Sequence, residues 1–387
     1  MPWRQTEPMS ERRAFLDAYE HGGYSVTELC ERFGISRKTG YKWLARAQSD
    51  APEGLAERSR APKSHPNQTP DQITRILVSA REKHPHWGPV KLRHWLLARQ
   101  PELEERLPAP STIGAILKRH GLVKPHPRRR RWPHTTGRIV QAPTANAVWA
   151  ADFKGQFRTQ DGKECFPLTI TDAYSRFLLS CQALESVAGQ GVRPVFEQVF
   201  QTYGLPEAIR TDNGSPFASR AIAGLSSLNV WWHKLGIEHQ RIAPGRPEQN
   251  GRHERMHRTL KQETTRPPQA TLAAQQLRFD AFRQEYNDER PHAALLGRVP
   301  TSVYTASLRP YPACLAKPEY SGHLEVRQVS NSGMFRFHAR QIFLSEALAK
   351  ETIGLEEIDD GVWSVYFYDL LLARLDERDY VVRPGLP

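Results

Sequence analysis

Cysteine is scarce and scattered. The four residues, Cys30, Cys165, Cys181 and Cys314, form no C-x-x-C pair, which gives no basis for a zinc ribbon or a disulfide framework. Long apolar runs are also missing. No stretch approaches the ~18 consecutive apolar residues of a membrane span, and Met1-Pro-Trp-Arg-Gln lacks the apolar region of a secretory leader. A soluble, cytoplasmic protein in a reducing compartment is expected. Acids are in deficit, 42 Asp and Glu against 54 Lys and Arg, leaving a formal charge of +12. That surplus favours a polyanionic partner, nucleic acid first, although charge speaks to association rather than to fold. No internal repeat is evident. What the chain does have is length: 387 residues exceed one ordinary domain, and roughly two to four units are expected.

Residues 1–50 read as a helix-turn-helix unit. Phe15, Leu16 and Tyr19 make a helical stripe ending at Gly22-Gly23. Ser25-Val-Thr-Glu28 is a capping box that starts a second helix, and Leu29, Cys30 and Phe33 turn that helix inward. Gly34 permits a tight turn and Ser36 caps a third helix, on which Arg37, Lys38, Tyr41 and Lys42 lie where a recognition helix meets DNA. Residues 51–68, rich in Pro, Ser and basic side chains, read as an extended linker. Residues 69–122 carry three further stripes: Ile73, Ile76 and Leu77; Val90, Leu92, Trp95 and Leu96; Ile113, Ile116 and Leu117. The last stripe starts at Pro110-Ser111 and closes at Gly121. A second helix-turn-helix or winged module is expected there.

A basic linker follows over 123–144. From Lys118 to Ala151 there are eight Lys or Arg residues and no acid. Arg128, Arg129, Arg130 and Arg131 have no internal counter-charge and are expected to run along a phosphate backbone. Residues 145–310 read as mixed α/β: strands at Val148 to Phe153, Cys165 to Thr171 and Phe177 to Cys181, a hairpin turn at Asp161-Gly162, a helix through Val192, Val195, Phe196, Val199 and Phe200, and a strand from Pro206 to Thr211. Residues 318–387 alternate apolar and polar and are expected to form a small β-barrel.

Three carboxylates stand in distinctive settings: Asp152 in Trp149-Ala-Ala-Asp-Phe153, Asp212 in Arg210-Thr-Asp-Asn-Gly-Ser215 and Glu254 in Asn250-Gly-Arg-His-Glu-Arg255. A strand end holds Asp152 more rigidly than a loop would, and the Asn213-Gly214 turn exposes Asp212. Hard oxygen donors of this kind suit Mg²⁺ or Mn²⁺, and two such cations ~3.5–4 Å apart stabilise both oxygens of an in-line phosphoryl displacement. On a helix entered near Pro247, Asn250, Glu254, Arg258 and Lys261 share one face, setting a carboxylate beside groups suited to phosphates.

At these residues the sequence resembles the D-D-E transposases of bacterial insertion sequences and the retroviral integrases. The resemblance covers 145–310, with Tyr286-Asn-Asp-Glu-Arg-Pro-His292, Pro300 and Tyr304 as the closing segment. It implies a ribonuclease-H-like core with Asp152 on the first strand, Asp212 after the fourth and Glu254 on a following helix, all three binding Mg²⁺ or Mn²⁺. It also implies cleavage of the 3′ ends of a mobile element by activated water, then attack of the freed 3′-OH on target DNA. The implied partners are double-stranded DNA, both element ends and target, and further copies of the chain in a homo-oligomer on DNA; the implied location is the bacterial nucleoid. Two features depart from the pattern. Asp212 and Glu254 are separated by 41 residues, whereas Glu248 would give 35, the spacing for which the family is best known. Glu254 fits the Pro-x-x-Pro-x-x-Asn-Gly-x-x-Glu context better, and the extra length then falls around 222–230. The N-terminal His/Cys zinc module of retroviral integrases has no counterpart, helix-turn-helix units standing in its place.

Two other classes compete. His253-Glu254-Arg-Met-His257 also fits H-E-x-x-H, the helical zinc-protease motif, but this leaves Asp152, Asp212 and the basic linker unexplained, and the histidines are expected to face DNA or solvent. A DNA-binding regulator with a silent core would have lost a carboxylate, and all three are present. Asp172 and Asp288 are read as structural, each paired with a nearby Arg.

Overall fold

In the computed structural model, which describes residues 7–50, 55–57, 68–123, 142–219, 222–242, 251–315 and 317–385, the chain divides into two units, 1–68 and 69–387. The arginines 128–131, Asn250, the rival Glu248 and the helix entry near Pro247 lie outside the described residues.

In the first unit, α1 (Pro8–Glu20), α2 (Val26–Arg32) and α3 (Arg37–Asp50) follow the expected punctuation. The Ser25 hydroxyl accepts from Glu28 N–H, and the Glu28 carboxylate accepts from Ser25 N–H. Gly34 makes its turn at φ +65°, and the Ser36 hydroxyl accepts from Thr39 N–H. Phe15, Leu29, Cys30 and Leu44 form the core, whereas Tyr19 stands outside it, exposed. At Gly40 a Cβ would come 2.5 Å from Cys30 Sγ, so α3 is close against α2 at that turn.

The second unit begins with α4 (Asp71–Lys83), α5 (Pro89–Arg99) and α6 (Pro110–Arg119). Ile73, Leu77, Leu92, Trp95, Leu96, Ile113, Ile116 and Leu117 are buried together. Val90 is not part of that stripe; at 48 % exposure it faces outward. No strand follows α6 within the described part of this module, so the expected wing is not seen there. The three helices rest against the chain that follows: His84 Nδ1 lies 3.2 Å from Glu285 Oε1, and Arg99 Nη2 lies 3.3 Å from Glu289 Oε2.

A mixed sheet comes next, built from β1 (Val148–Phe153), β2 (Phe157–Arg158), β3 (Glu164–Asp172), β4 (Leu178–Leu184), β5 (Ala208–Thr211) and β6 (Glu238–Arg241). β3 is antiparallel to β1, β2 and β4; on the other side β1, β5 and β6 run parallel. One face packs on α7 (Gly189–Tyr203) and α8 (Ser227–Lys234), with Trp149, Leu168, Ile170, Phe196, Phe200 and Trp232 at the centre. The other packs on α9 (Gly251–Thr264) and α10 (Leu272–Asp288) through Cys165, Leu178, Met256, Leu260, Phe279 and Phe282. Strand β4 is an edge, and α10 satisfies part of it with side-chain amides. Asn287 Oδ1 accepts from Leu178 N–H and Asn287 Nδ2 donates to Leu178 C=O, while Gln276 does the same between Ala183 N–H and Cys181 C=O. Edge groups paired in this way offer no template to another strand.

Residues 325–384 depart from the sequence expectation. β7 (Glu325–Gln328), β10 (Thr352–Asp359), β11 (Val362–Phe367), β12 (Leu370–Asp376) and β13 (Val382–Pro384) form one open sheet in the order β13-β12-β11-β10-β7, while β8 (Met334–Phe337) and β9 (Arg340–Phe343) form a hairpin that meets the residues after β7 through one bridge, Val329 to Phe335. Alternation marks the strands correctly, but no ladder joins β13 to β7 among the described residues, so the expected barrel is not closed. The hairpin supplies Phe335, Phe337 and Ile342 to the sheet's apolar face, covering it where a barrel would have curled.

Candidate metal and nucleic-acid site

Strand alternation decides which residues of β1 reach the site. Trp149 and Ala151 go into the core beneath α7, so Ala150 and Asp152 face the layer that carries α9. Across the β1–β3 ladder Asp152 is opposite Thr169 and Ala150 opposite Thr171. On the other side of β1, Val148, Trp149 and Ala150 pair in parallel with Ala208, Ile209 and Arg210. Continuing that register sets Asp152 level with Asp212, at the carboxyl ends of two strands whose usual separation is ~4.8 Å. Ends of parallel strands beside a change of direction in the sheet order are where α/β sheets place ligands.

Asp212 follows the fifth strand, or the fourth when the two-residue β2 is set aside. Its Oδ1 accepts from Gly214 N–H at 3.1 Å, and Asn213 Nδ2 donates to Ile242 C=O at 2.8 Å, so the Asp-Asn-Gly turn is tied to the end of β6. A Cβ at Gly214 would lie 3.1 Å from Asp212 Oδ2, crowding the carboxylate.

Helix α9 has two distinct faces. Glu254, Arg258 and Lys261 are exposed, on one face as expected. His253, Met256, His257, Leu260 and Thr264 are buried. The histidines therefore face neither solvent nor DNA. They pack onto β3, where His253 Nε2 and His257 Nε2 each lie 2.7 Å from Thr169 Oγ1, and His253 Nδ1 lies 3.0 Å from Thr171 Oγ1. His257 Nδ1 is 3.9 Å from Asp152 Oδ2. Asp152, His253 and His257 make up a cluster with potential metal-ligand atoms within 4.8 Å of one another. Desolvation holds both imidazoles neutral, lowering His253 to about 3 and, with help from His253 and Lys154, His257 to about 2. This is not a zinc-protease arrangement: both Nε2 atoms converge on a threonine hydroxyl, and Glu254 points away from them. The sequence held the signal, since 253, 256, 257, 260 and 264 follow the spacing of a buried helical stripe.

Lys154 joins the site from just beyond β1. Burial and the Lys261 ammonium lower its pKa, opposed by the Asp152 carboxylate. Lysine at this position was not among the residues singled out from the sequence. In the N-terminal unit Ser36, Arg37, Lys38, Tyr41 and Lys42 are all exposed on α3, the Lys42 ammonium lying 4.3 Å from the centre of the Trp43 ring.

The two carboxylates read as arginine partners are held otherwise. Asp172 is fully buried, its Oδ1 accepting from Asn146 N–H and its Oδ2 from Ser175 N–H and Oγ–H. Asp288 accepts from the Thr301 hydroxyl. Among the described residues, backbone and hydroxyl donors hold Asp172 and a hydroxyl donor holds Asp288.

Two other histidines give the fold a pH dependence. His239, hydrogen-bonded to Thr211 Oγ1, is lowered to about 4 by burial and by Arg241. His292 is lowered to about 3 by burial and by Lys91, Arg290 and Arg176. Both are neutral in the fold at pH values where the unfolded chain, titrating near ~6.5, is protonated. Stability is thus complete above ~6.5 and falls as the pH drops toward 4, by roughly 1 kcal/mol per histidine over the first unit. Urea unfolding midpoints at pH 7.5 and 5.5 check this, and an unchanged midpoint would contradict it.

Comparison with known proteins agrees with this architecture. Integrase core domain families match residues 142–247 and 235–300, a homeodomain-like domain matches 39–117 and a helix-turn-helix domain 11–63. An uncharacterized 39.2 kDa protein of insertion element IS476 from Xanthomonas euvesicatoria is 26 % identical over 341 residues, covering 82 % of this chain and 93 % of that protein. An uncharacterized 31.7 kDa protein of insertion element IS407 from Burkholderia multivorans is 28 % identical over 185 residues, 47 % of this chain and 64 % of that protein. Among solved structures, the HTLV-2 integrase catalytic core in complex with magnesium aligns with 16 % identity and a TM-score of 0.34, over 42 % of this chain and 99 % of that one. The chain carries an integrase core domain preceded by helix-turn-helix domains. Over these spans it is similar to proteins of bacterial insertion elements.

Proposed function

We propose that this protein binds the two ends of its insertion sequence, cleaves their 3′ ends and joins them to target DNA, with Asp152, Asp212 and Glu254 holding Mg²⁺ or Mn²⁺. What supports the reading is the β1–β5 register, whose continuation brings Asp152 and Asp212 level at neighbouring strand ends. Oxygen donors so placed fit hard divalent cations and repel one another without them. A bound cation would supply Lewis-acid stabilisation of charge on the phosphate oxygens.

The chain's own groups do the rest. Arg258 and Lys261, one and two turns beyond Glu254 on the exposed face, bind DNA phosphates and orient the scissile one, and Lys154 extends that cationic field to Asp152. Water attacks phosphorus at the element end and the 3′-oxygen leaves with a proton. The freed 3′-OH then attacks phosphorus in the target, displacing a target 3′-oxygen, so one phosphodiester forms as another breaks and no enzyme-linked intermediate arises. One such site per chain serves one end, so the working form is a DNA-bound dimer or tetramer. Incubation with end DNA and target, with and without chelator, tests the reading; joining that survives chelation, or metal-dependent cleavage of a peptide, would refute it.

Recognition is assigned to α3, whose Arg37, Lys38, Tyr41 and Lys42 reach base edges, while Arg128 to Arg131 supply sequence-independent attraction. Replacing Arg37, Lys38 and Lys42 by Ala is expected to abolish preference for element ends over random DNA. Neutralising the four arginines is expected to weaken both alike and to flatten the salt dependence. Binding curves at several salt concentrations separate the two; an arginine variant that lost only specific binding would reverse the assignment.

A further inference from the structure

The proton arrangement around Thr169 follows from counting. Its hydroxyl has one hydrogen and two acceptor sites and meets three partners: Asp152 C=O at 3.0 Å, His253 Nε2 and His257 Nε2. A carbonyl oxygen only accepts, so the Thr169 hydrogen goes to Asp152 C=O and both imidazoles donate from Nε2. A neutral ring that donates from Nε2 keeps its lone pair on Nδ1, the only nitrogen through which it can bind a cation. On His253 that lone pair accepts from the Thr171 hydroxyl. On His257 it is turned toward Asp152 Oδ2, 3.9 Å away. Two ligands each roughly 2.1 Å from one ion are separated by at most ~4.2 Å, so this nitrogen and this carboxylate oxygen are within the span of a single cation. His253, with both nitrogens engaged, is not.

We infer that His257 Nδ1 is a nitrogen ligand to the divalent cation held at Asp152, giving the site a mixed nitrogen and oxygen donor set that favours Mn²⁺ over Mg²⁺. The inference rests on the reading of Asp152 as a cation ligand. Thr169 fixes the tautomer, as second partners of metal-binding histidines do, and also ties the ring to the backbone of the residue that shares the ion. Imidazole nitrogen suits Mn²⁺ better than Mg²⁺, which prefers oxygen.

Pulsed EPR of the full-length protein loaded with Mn²⁺ tests this. Coupling to one directly bound imidazole nitrogen is expected, changing to the ¹⁵N pattern when histidine is isotopically labelled. His257→Asn is expected to remove the coupling and to lower Mn²⁺ affinity by about tenfold with a smaller effect on Mg²⁺; His253→Gln, which keeps a donor for Thr169, is expected to retain the coupling. If bound Mn²⁺ in the unsubstituted protein shows no nitrogen coupling while Asp152→Asn abolishes binding, His257 is not a ligand and the carboxylate reading stands. Mn²⁺ binding indifferent to both Asp152→Asn and His257→Asn would overturn both. Because the unsubstituted protein decides the first point, a variant that fails to fold does not leave the matter open.

Discussion

Asp152→Asn, Asp212→Asn and Glu254→Gln are each expected to lower end cleavage and strand transfer by about 10³-fold or more, corresponding to ~4 kcal/mol of transition-state stabilisation, while binding to element-end DNA stays within a few-fold. Each change removes negative charge without changing size. Asp152 is the most constrained of the three, because its strand position, its carbonyl contact with Thr169 and its side chain's approach to His257 are all set by β1, β3 and α9. Glu254 is the most exposed, and the rival Glu248 gives the comparison that matters. Glu248→Gln is expected to retain near-normal rates. Cleavage assays on labelled end DNA, run beside binding measurements, distinguish the outcomes. An active Glu254→Gln with a dead Glu248→Gln would move the third ligand, and equal loss of DNA binding in all three would show that the carboxylates act on assembly instead of chemistry.

The largest stability effect is expected at Arg290. Its Nη1 lies 2.8 Å from Glu263 Oε1, with the side chains only 5 % and 11 % exposed. Glu263 is near the end of α9, and Arg290 follows α10 and approaches Trp87 in the helical module. Arg290→Ala leaves a buried carboxylate without its cation and is expected to cost about 3–5 kcal/mol. Combining it with Glu263→Gln should recover much of that loss, because the uncompensated charge disappears. Denaturant unfolding of the single and double variants checks the sign and size. If Arg290→Ala were as stable as the parent, the pair would be screened by water and α9 would be anchored by apolar packing alone.

The helix starts were legible because capping chemistry is local: Ser25 with Glu28, and Ser36 before α3, need no tertiary information. Asp152 and Asp212 were legible for a similar reason, each marking where an apolar strand ends. Strand β6, by contrast, is Glu-His-Gln-Arg and carries no β-pattern of its own; it is a strand because β5 offers it a parallel ladder. The helical character of α8 was hidden by Trp231-Trp232, where adjacent apolar residues fit either a buried strand or a helix. The burial of His253 and His257 escaped for a different reason. Their i, i+4 spacing also suits a metal motif or a polar face, and although the stripe they share with Met256, Leu260 and Thr264 points inward, their partners Thr169 and Thr171 lie 82 to 88 residues away. Closure of a sheet depends on stagger and tilt, which alternation does not encode, and this is why the strands of the C-terminal part were found and their arrangement was not.

Helix α8 sits in the stretch to which the long carboxylate spacing was assigned, and it has two allegiances. Leu228, Trp231, Trp232 and Leu235 belong to the core of the mixed sheet, whereas Leu225 and Val230 are buried with the C-terminal sheet, and Lys234 bonds Glu351 at 2.7 Å. A cut near residue 318 would therefore not release a clean catalytic fragment. It would bare the outer side of α8 beside the chain that leads from Asp212 to Glu254. Losses of DNA processing in C-terminal truncations then speak to the alignment of the carboxylates as much as to any contact made by the missing strands, and heat or denaturant should melt the two sheets in one transition.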